Sequence, residues 1–364
     1  MKNPFDLVQL LASTVSAGAS DLHLCVDAPP MIRINGSLAP LADRALTVSF
    51  CRELVFSILN ESQLTRLEEE WELDFAIQIA NLGRFRGNAH YSRGALEAAF
   101  RHIPHVIPEL SSLGHRRSIF DICALQRGLV LVTGITGSGK STTMAAMVQH
   151  ISRQRRGVIV TVEDPVEFIF QNAASVIKQR EVGSDTKSFA EALRHALRQD
   201  PDVILVGEMR DRETISAAIT AAETGHLVIG TLHTIDAPKA VDRIVDAFPG
   251  DQQPQIIAQL SNALAAVVSQ RLLPKEDGTS RVLATETLVT NSGVRTCIRE
   301  RRWAQLVGLI EIGGKDGMHS MDEELAGLYL SRAISKEEAL ANARDHHRFE
   351  SLLREKPRRR GLFG

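Results

Sequence analysis

Cysteine is scarce in this sequence: 364 residues hold four, at 25, 51, 123 and 297, with no C-x-x-C pair. That excludes a tetracysteine zinc module and a disulfide framework, and it suits a reducing compartment. Aromatic residues make up 5% of the chain, too few to suggest a base-stacking platform. Net charge is −2, so the electrostatic footprint of a strong nucleic-acid binder is missing. No apolar run approaches the eighteen or so residues of a membrane span. The opening MKNPFDLVQLLASTVSAG carries Asp6 and only a short apolar segment, which makes a poor signal peptide. Leu7, Leu10, Leu11 and Val15 there share one side of an amphipathic helix. A cytoplasmic protein without a membrane span is expected, and a nucleic-acid translocase is disfavoured.

What is present is a strand–turn–helix signal between Leu129 and Met144, LVLVTGITGSGKSTTM. A short apolar run leads into Gly134, Gly137 and Gly139, then Lys140 and Ser141 open a helical stretch. This is G-x-x-x-x-G-K-[ST] in the context it requires. Glycines let backbone N–H groups converge into a phosphate-sized nest, and the helix N-terminus adds partial positive charge. Residues Gly134, Ile135, Thr136, Gly137, Ser138, Gly139, Lys140, Ser141 and Thr142 are therefore the expected nucleotide-binding segment. Lys140 would meet the β- and γ-phosphates of ATP, and the Ser141 hydroxyl would hold Mg²⁺.

The first hundred residues read as a separate α/β domain. Asp21–Leu41 alternates apolar and polar residues, with a hairpin across Asn35–Gly36. Helices are expected over Ser49–Leu59 and Ser62–Glu70, and strands over Leu73–Ile79, Gly83–Tyr91 and Ala95–Ile103. Ile103–Leu113, with Pro104 and Pro108, reads as a linker. From Gly128 onward strands and helices alternate, which means a mostly parallel sheet covered by helices. After Ala237 the chain is expected to be mostly helical, apart from a strand pair around Arg281–Val289.

Three stretches could complete a hydrolytic site. TVEDPVEF places Glu163, Asp164 and Glu167 at a strand end, where a parallel sheet meets its ligand. LRQDPDVILVGEMRD ends an apolar strand in Gly207–Glu208, the position of the Mg²⁺-water acid in P-loop ATPases, with Glu in place of the usual Asp. GHLVIGTLHT brackets a strand with His226 and His233, an odd spacing that puts them on opposite faces. Arg84, Arg86, Arg93 and Arg101 crowd the first domain. Ring ATPases complete each site with arginines from a neighbour, and Arg86 and Arg101 on two strands would suit that role.

With these residues assembled, the sequence resembles the secretion ATPases of type II secretion and type IV pili. GITGSGKST, TVEDPVEF, LRQDPDVILVGEMRD and GHLVIGTLHT match that family's four motifs in its order. SDLHL and PPMIRINGSL in the first domain, QREVGSDT, and GMHSMDEELAGLYLSRAISKEEALANA near the end are similar to its pilus-retraction members. Assembly and type II secretion members usually carry a tetracysteine module, which weakens those alternatives. Ile135 stands where the family often has proline, and KPRRRGLFG at the end bears no resemblance.

The resemblance implies a PAS-like N-terminal α/β domain over 1–102 and a linker over 103–113. It implies a RecA-like P-loop ATPase core over 114–290, a helical C-terminal region over 291–364, and a homohexameric ring. It implies Glu163 as general base, Glu208 as the acid contacting Mg²⁺ through water, and His233 and His226 as nucleotide sensors. Arg86 and Arg101 would be the fingers. An inner-membrane pilus platform protein, and a paralogous retraction ATPase, would be the partners. An accessory subunit that binds nucleotide without hydrolysing it is the remaining alternative.

Overall fold

A computed structural model describes residues 4–359 except 35, 81, 104–105 and 279. The chain divides into one unit ending at Val106 and a second beginning at Ile107.

The first unit is a six-stranded antiparallel sheet. Its strands are β1 (Asp21–Leu24), β2 (Met31–Ile34), β3 (Ser37–Pro40), β4 (Glu72–Ile79), β5 (Gly83–Ser92) and β6 (Ala95–Ile103), in the order β3-β2-β1-β6-β5-β4. Alternation along the strands sorts two faces. Leu22, Leu24, Phe85, Ala89, Ala98 and Phe100 are buried against helices Leu7–Ser16, Val48–Phe56 and Glu61–Glu70. Asp6, Thr47 and Asn60 N-cap those helices, Asn60 in a reciprocal capping box with Gln63. This is the PAS-like α/β arrangement expected. The hairpin expected at Asn35–Gly36 joins β2 to β3, with Ile34 opposite Ser37; Asn35 itself lies outside the described residues.

The second unit is built on a seven-stranded sheet. Its strands are β7 (Gly128–Thr133), β8 (Val158–Glu163), β9 (Val176–Glu181), β10 (Val203–Val206), β11 (Leu227–Leu232), β12 (Leu264–Pro274) and β13 (Arg281–Val289). Their order is β13-β12-β7-β11-β10-β8-β9, parallel except for the β12–β13 pair. Residues of β7, β10 and β11 are buried throughout, as central strands covered on both faces must be. Leu129, Leu131, Ile204 and Val228 pack on one face with Ile215, Ile219 and Ile244 from the helices there. Val130, Val132, Leu205 and Ile229 pack on the other with Met147, Val148 and Ile151 of the helix Lys140–Gln154. This is a RecA-like core, and helices from Ser292 onward complete the C-terminal end.

Two strands depart from expectation. β12 occupies a stretch expected to be helical: LAAVVSQRLLP follows the helix Gln253–Ala263 with no turn residue between them. Its apolar run is consistent with either state, and pairing with β7 and β13 decides it. β9, VIKQRE, is a mostly polar edge strand whose apolar signal is confined to Val176 and Ile177. Of the expected linker 103–113, Ile103 ends β6 and Ile107 and Leu110 are buried in the second unit's core. Pro104 and His105 lie outside the described residues. The expected helical region 291–364 includes 360–364, also outside them.

Arg344 ties the C-terminal end to the sheet. Its Nη2 lies 2.7 Å from Asp236 Oδ2 and its Nη1 3.9 Å from Glu286 Oε2. Asp236 N-caps the helix Ala237–Asp246, Lys239 lies 4.0 Å from it, and the buried Glu286 accepts from the Ala237 N–H. Arg344→Ala leaves two largely buried carboxylates without this cation. The expected cost is about 2–3 kcal/mol, read as a melting midpoint lower by several degrees in thermal denaturation.

Candidate active site

Four segments converge at the C-terminal edge of the parallel strands, where ligands sit in sheets of this kind. The turn after β7 is the glycine-rich loop, and residues 134–142 run through it into the helix Lys140–Gln154. Gly134 has φ +149° and Gly139, the helix N-cap, has φ +87°, backbone conformations that L side chains rarely adopt. Behind the loop, Gln270 of β12 donates its Nε2–H to the Ser138 carbonyl at 2.7 Å. The Ser138 hydroxyl is buried with no hydrogen-bond partner among the described residues. A Cβ on Gly134 would lie 2.5 Å from both the Gln270 carbonyl oxygen and the Ser138 Oγ. Gly134→Ala is therefore expected to abolish nucleotide binding, checked by fluorescent ADP titration; near-normal affinity would contradict this packing.

Lys140 Nζ donates to the Gly134 and Ile135 carbonyls at 2.8 and 3.0 Å. Burial lowers the pKa of its ammonium, while Glu208 and Glu167 pull it upward. Those two carboxylates therefore lie within electrostatic reach of the phosphate loop. The Ile135 side chain is exposed at the loop's tip and needs no contact with a ligand.

Glu163 is the last residue of β8 and is largely buried. Burial raises its carboxyl pKa, and hydrogen bonds from Thr161 and Gln179 oppose the rise. A carboxylate of raised pKa is a stronger proton acceptor near neutral pH. Glu208 follows β10 and Gly207. Met209, 2% exposed, anchors the turn over Gly230, where a Cβ would lie 2.5 Å from its sulfur. The Thr231 hydroxyl donates to the Gly207 carbonyl at 2.6 Å. With the turn so held, Glu208 Oε1 receives both His233 Nε2, at 2.9 Å, and Arg210. His233 stands directly after β11.

His226 is not part of this assembly. It precedes β11, its carbonyl accepts from the Gly128 N–H at the start of β7, and its Nδ1 sits 2.9 Å from the Ala221 carbonyl. A strand running through the sheet puts its two flanking residues at opposite edges, about 20 Å apart. Within this chain His226 therefore stands at the sheet edge opposite the glycine-rich loop, apart from His233. Arg86 and Arg101 lie in the first unit, directly opposite one another on β5 and β6, both exposed. Arg101 Nε donates to Asp21 Oδ1 at 2.8 Å.

Sequence reasoning missed Thr161, Gln179 and Gln270. Thr161 and Gln179 bond Glu163, and Gln270 backs the loop. Gln179 lies within QREVGSDT, a run that carried resemblance without a role.

Residues 105–350 match the family model described as "Type II/IV secretion system protein". The chain is 44% identical over 339 residues to the type IV pilus retractation ATPase PilT of Pseudomonas aeruginosa, covering 93% of this chain and 98% of that protein. It is 39% identical over 335 residues to the type IV pilus ATPase PilU of the same organism, covering 92% and 88%. The crystal structure of the pilus retraction motor PilT with bound ADP superposes with a TM-score of 0.90 at 44% identity, covering 95% of this chain and 99% of that one.

Proposed function

This chain belongs to the type II/IV secretion ATPase family, and on that premise we propose that it is a ring-forming motor that hydrolyses ATP to retract type IV pili. The observation that carries the proposal is the meeting of Lys140, Glu208 and His233 at the sheet edge where β8 ends in Glu163, on a chain that superposes on an ADP-bound retraction motor over nearly its whole length.

The roles follow from the chemistry of each group. The loop N–H groups and Lys140 bind the β- and γ-phosphates of ATP. Glu163 accepts the proton of the attacking water, its buried carboxylate being basic enough for the task. His233, held by Glu208, reports on the γ-phosphate. Mg²⁺ fits the donor set as this metal is usually held, by few protein oxygens together with phosphates and water. Among the described residues no cluster of three or more His, Cys, Asp or Glu could hold a metal unaided. The Ser141 hydroxyl and, through water, Glu208 would supply the protein's share. Held there, Mg²⁺ would supply neutralisation of the charge that develops on the phosphates.

Arg86 and Arg101 act as fingers on a nearby site within a homohexamer. Nucleotide turnover passing around the ring turns an inner-membrane platform protein and withdraws pilin, with a paralogous ATPase as a second partner. The motor works in the cytoplasm at the membrane face of the pilus machine. Among the described residues no helix is long and apolar enough to cross a membrane.

The test is complementation of a piliated strain lacking its retraction ATPase. Restored twitching, with a hexamer-sized species by light scattering, is expected. A hydrolytically active chain that leaves pili extended would overturn the retraction role.

A further inference from the structure

Glu163 sits in a polar lattice shared by β8 and β9. Thr161, two residues earlier on the same face, donates its hydroxyl to Glu163 Oε1 at 2.6 Å. In the strand register Thr161 faces Gln179, and Glu163 faces Glu181. Gln179 Nε2 donates to Glu163 Oε1 at 3.2 Å and to the Phe168 carbonyl at 2.8 Å. Its Oε1 accepts the Phe170 N–H at 2.9 Å. One side-chain amide thus uses both donor and acceptor ends. Glu181, buried beside it, accepts the Val166 N–H at 2.9 Å. The acidic loop after β8 is held to β9 at three backbone positions, 166, 168 and 170, and two of these bonds belong to the residue that also holds Glu163.

The charged surroundings make that amide matter. Glu167 approaches Glu163 from the acidic loop, Glu181 from β9, and Glu208 follows the Gly207 whose position abuts the Glu163 backbone. The facing charges are thus mostly acidic, with Lys140 reached by Glu167 and Glu208, and Arg210 and His233 engaged by Glu208. Hydrogen bonds from neutral donors are what favour the charged carboxylate here.

We propose that Gln179 is a positioning residue for hydrolysis, fixing the Glu163 carboxylate at the sheet edge and tying it to the loop 164–170 so that base and loop move together. The proposal rests on the reading of Glu163 as general base. A general base must be ionised, so turnover falls as pH drops through its pKa. Losing a donor to the charged form raises that pKa and moves the acid limb of the profile to higher pH.

The experiment is the pH profile of kcat and KM for Gln179→Met, which keeps the length of the side chain and removes its hydrogen bonds, beside Gln179→Glu and Glu163→Gln. For Gln179→Met, kcat at neutral pH falls about tenfold, the acid limb moves up by about one pH unit, and KM for ATP stays within about twofold of wild type. Gln179→Glu keeps the acceptor for the Phe170 N–H and puts a like charge on Glu163, so its limb moves at least as far and provides the test should the Met variant fail to fold. An unmoved limb in both variants, or a raised KM at unchanged kcat, overturns the positioning role. Wild-type turnover from Glu163→Gln would overturn the general-base reading itself, a separate outcome.

Discussion

Glu163→Gln is expected to lower ATP turnover by two to four powers of ten, roughly what a positioned general base contributes, while nucleotide affinity stays close to wild type. The substitution keeps the shape of a side chain that ends β8 and changes only its capacity to accept a proton. Its neighbours tolerate the change, because the Thr161 hydroxyl can reorient and the loop contacts of Gln179 do not involve residue 163. Burial already disfavours charge at this position, so an amide there folds at least as well as a carboxylate. The measurement is phosphate release against ADP affinity on the same preparation. Parallel loss of turnover and binding would mean that the residue holds the site's shape instead of serving the reaction.

Lys140→Ala is expected to weaken ATP binding about tenfold to a hundredfold, the worth of hydrogen bonds from a charged donor, and to remove measurable turnover. Lys140 is the first residue of the helix Lys140–Gln154 and donates to the carbonyls of Gly134 and Ile135. Those carbonyl contacts hold the ammonium beside the loop whose N–H groups would receive phosphate, a short reorientation away. The apolar face that docks the helix, Met144, Met147, Val148 and Ile151, is untouched, so the fold survives. Isothermal titration with ATP and with ADP measures the loss. A greater loss for ATP than for ADP is expected, because one more phosphate is within the reach of Lys140. Equal affinities for wild type and variant would contradict the assignment of the loop.

Legibility in the sequence followed the range of the interactions. The loop from Gly134 to Ser141 was readable because strand, turn and helix are local and the glycines mark positive-φ positions, although Gly134 is also closed in by the distant Gln270. Glu163 and Glu208 were readable because an acid at the end of an apolar strand must face the ligand edge of a parallel sheet. His226 was not placed by the sequence, because one-dimensional proximity to a good strand does not say which edge a residue occupies. Its partner His233 was readable for the reason that His226 was not: it follows the strand. β9 escaped because a mostly polar edge strand carries little burial pattern, and with it went Gln179. β12 escaped because an apolar run directly after a helix has no punctuation, and with it went Gln270. Gln179 and Gln270 act across the sheet, through pairings separated by many positions in the chain, whereas Thr161 acts from two positions away on the same strand.

Mg²⁺-dependent ATP hydrolysis is proposed for the edge formed by β7, β8, β10 and β11. Steady-state phosphate release by the purified chain, measured as Mg²⁺ is titrated at fixed ATP and with chelator as the zero point, tests it most directly. No turnover is expected in chelator, and a saturable rise with Mg²⁺, carried by a hexamer-sized species. Turnover that ignores Mg²⁺, or none at any Mg²⁺ concentration from a folded chain that binds ATP, would contradict it.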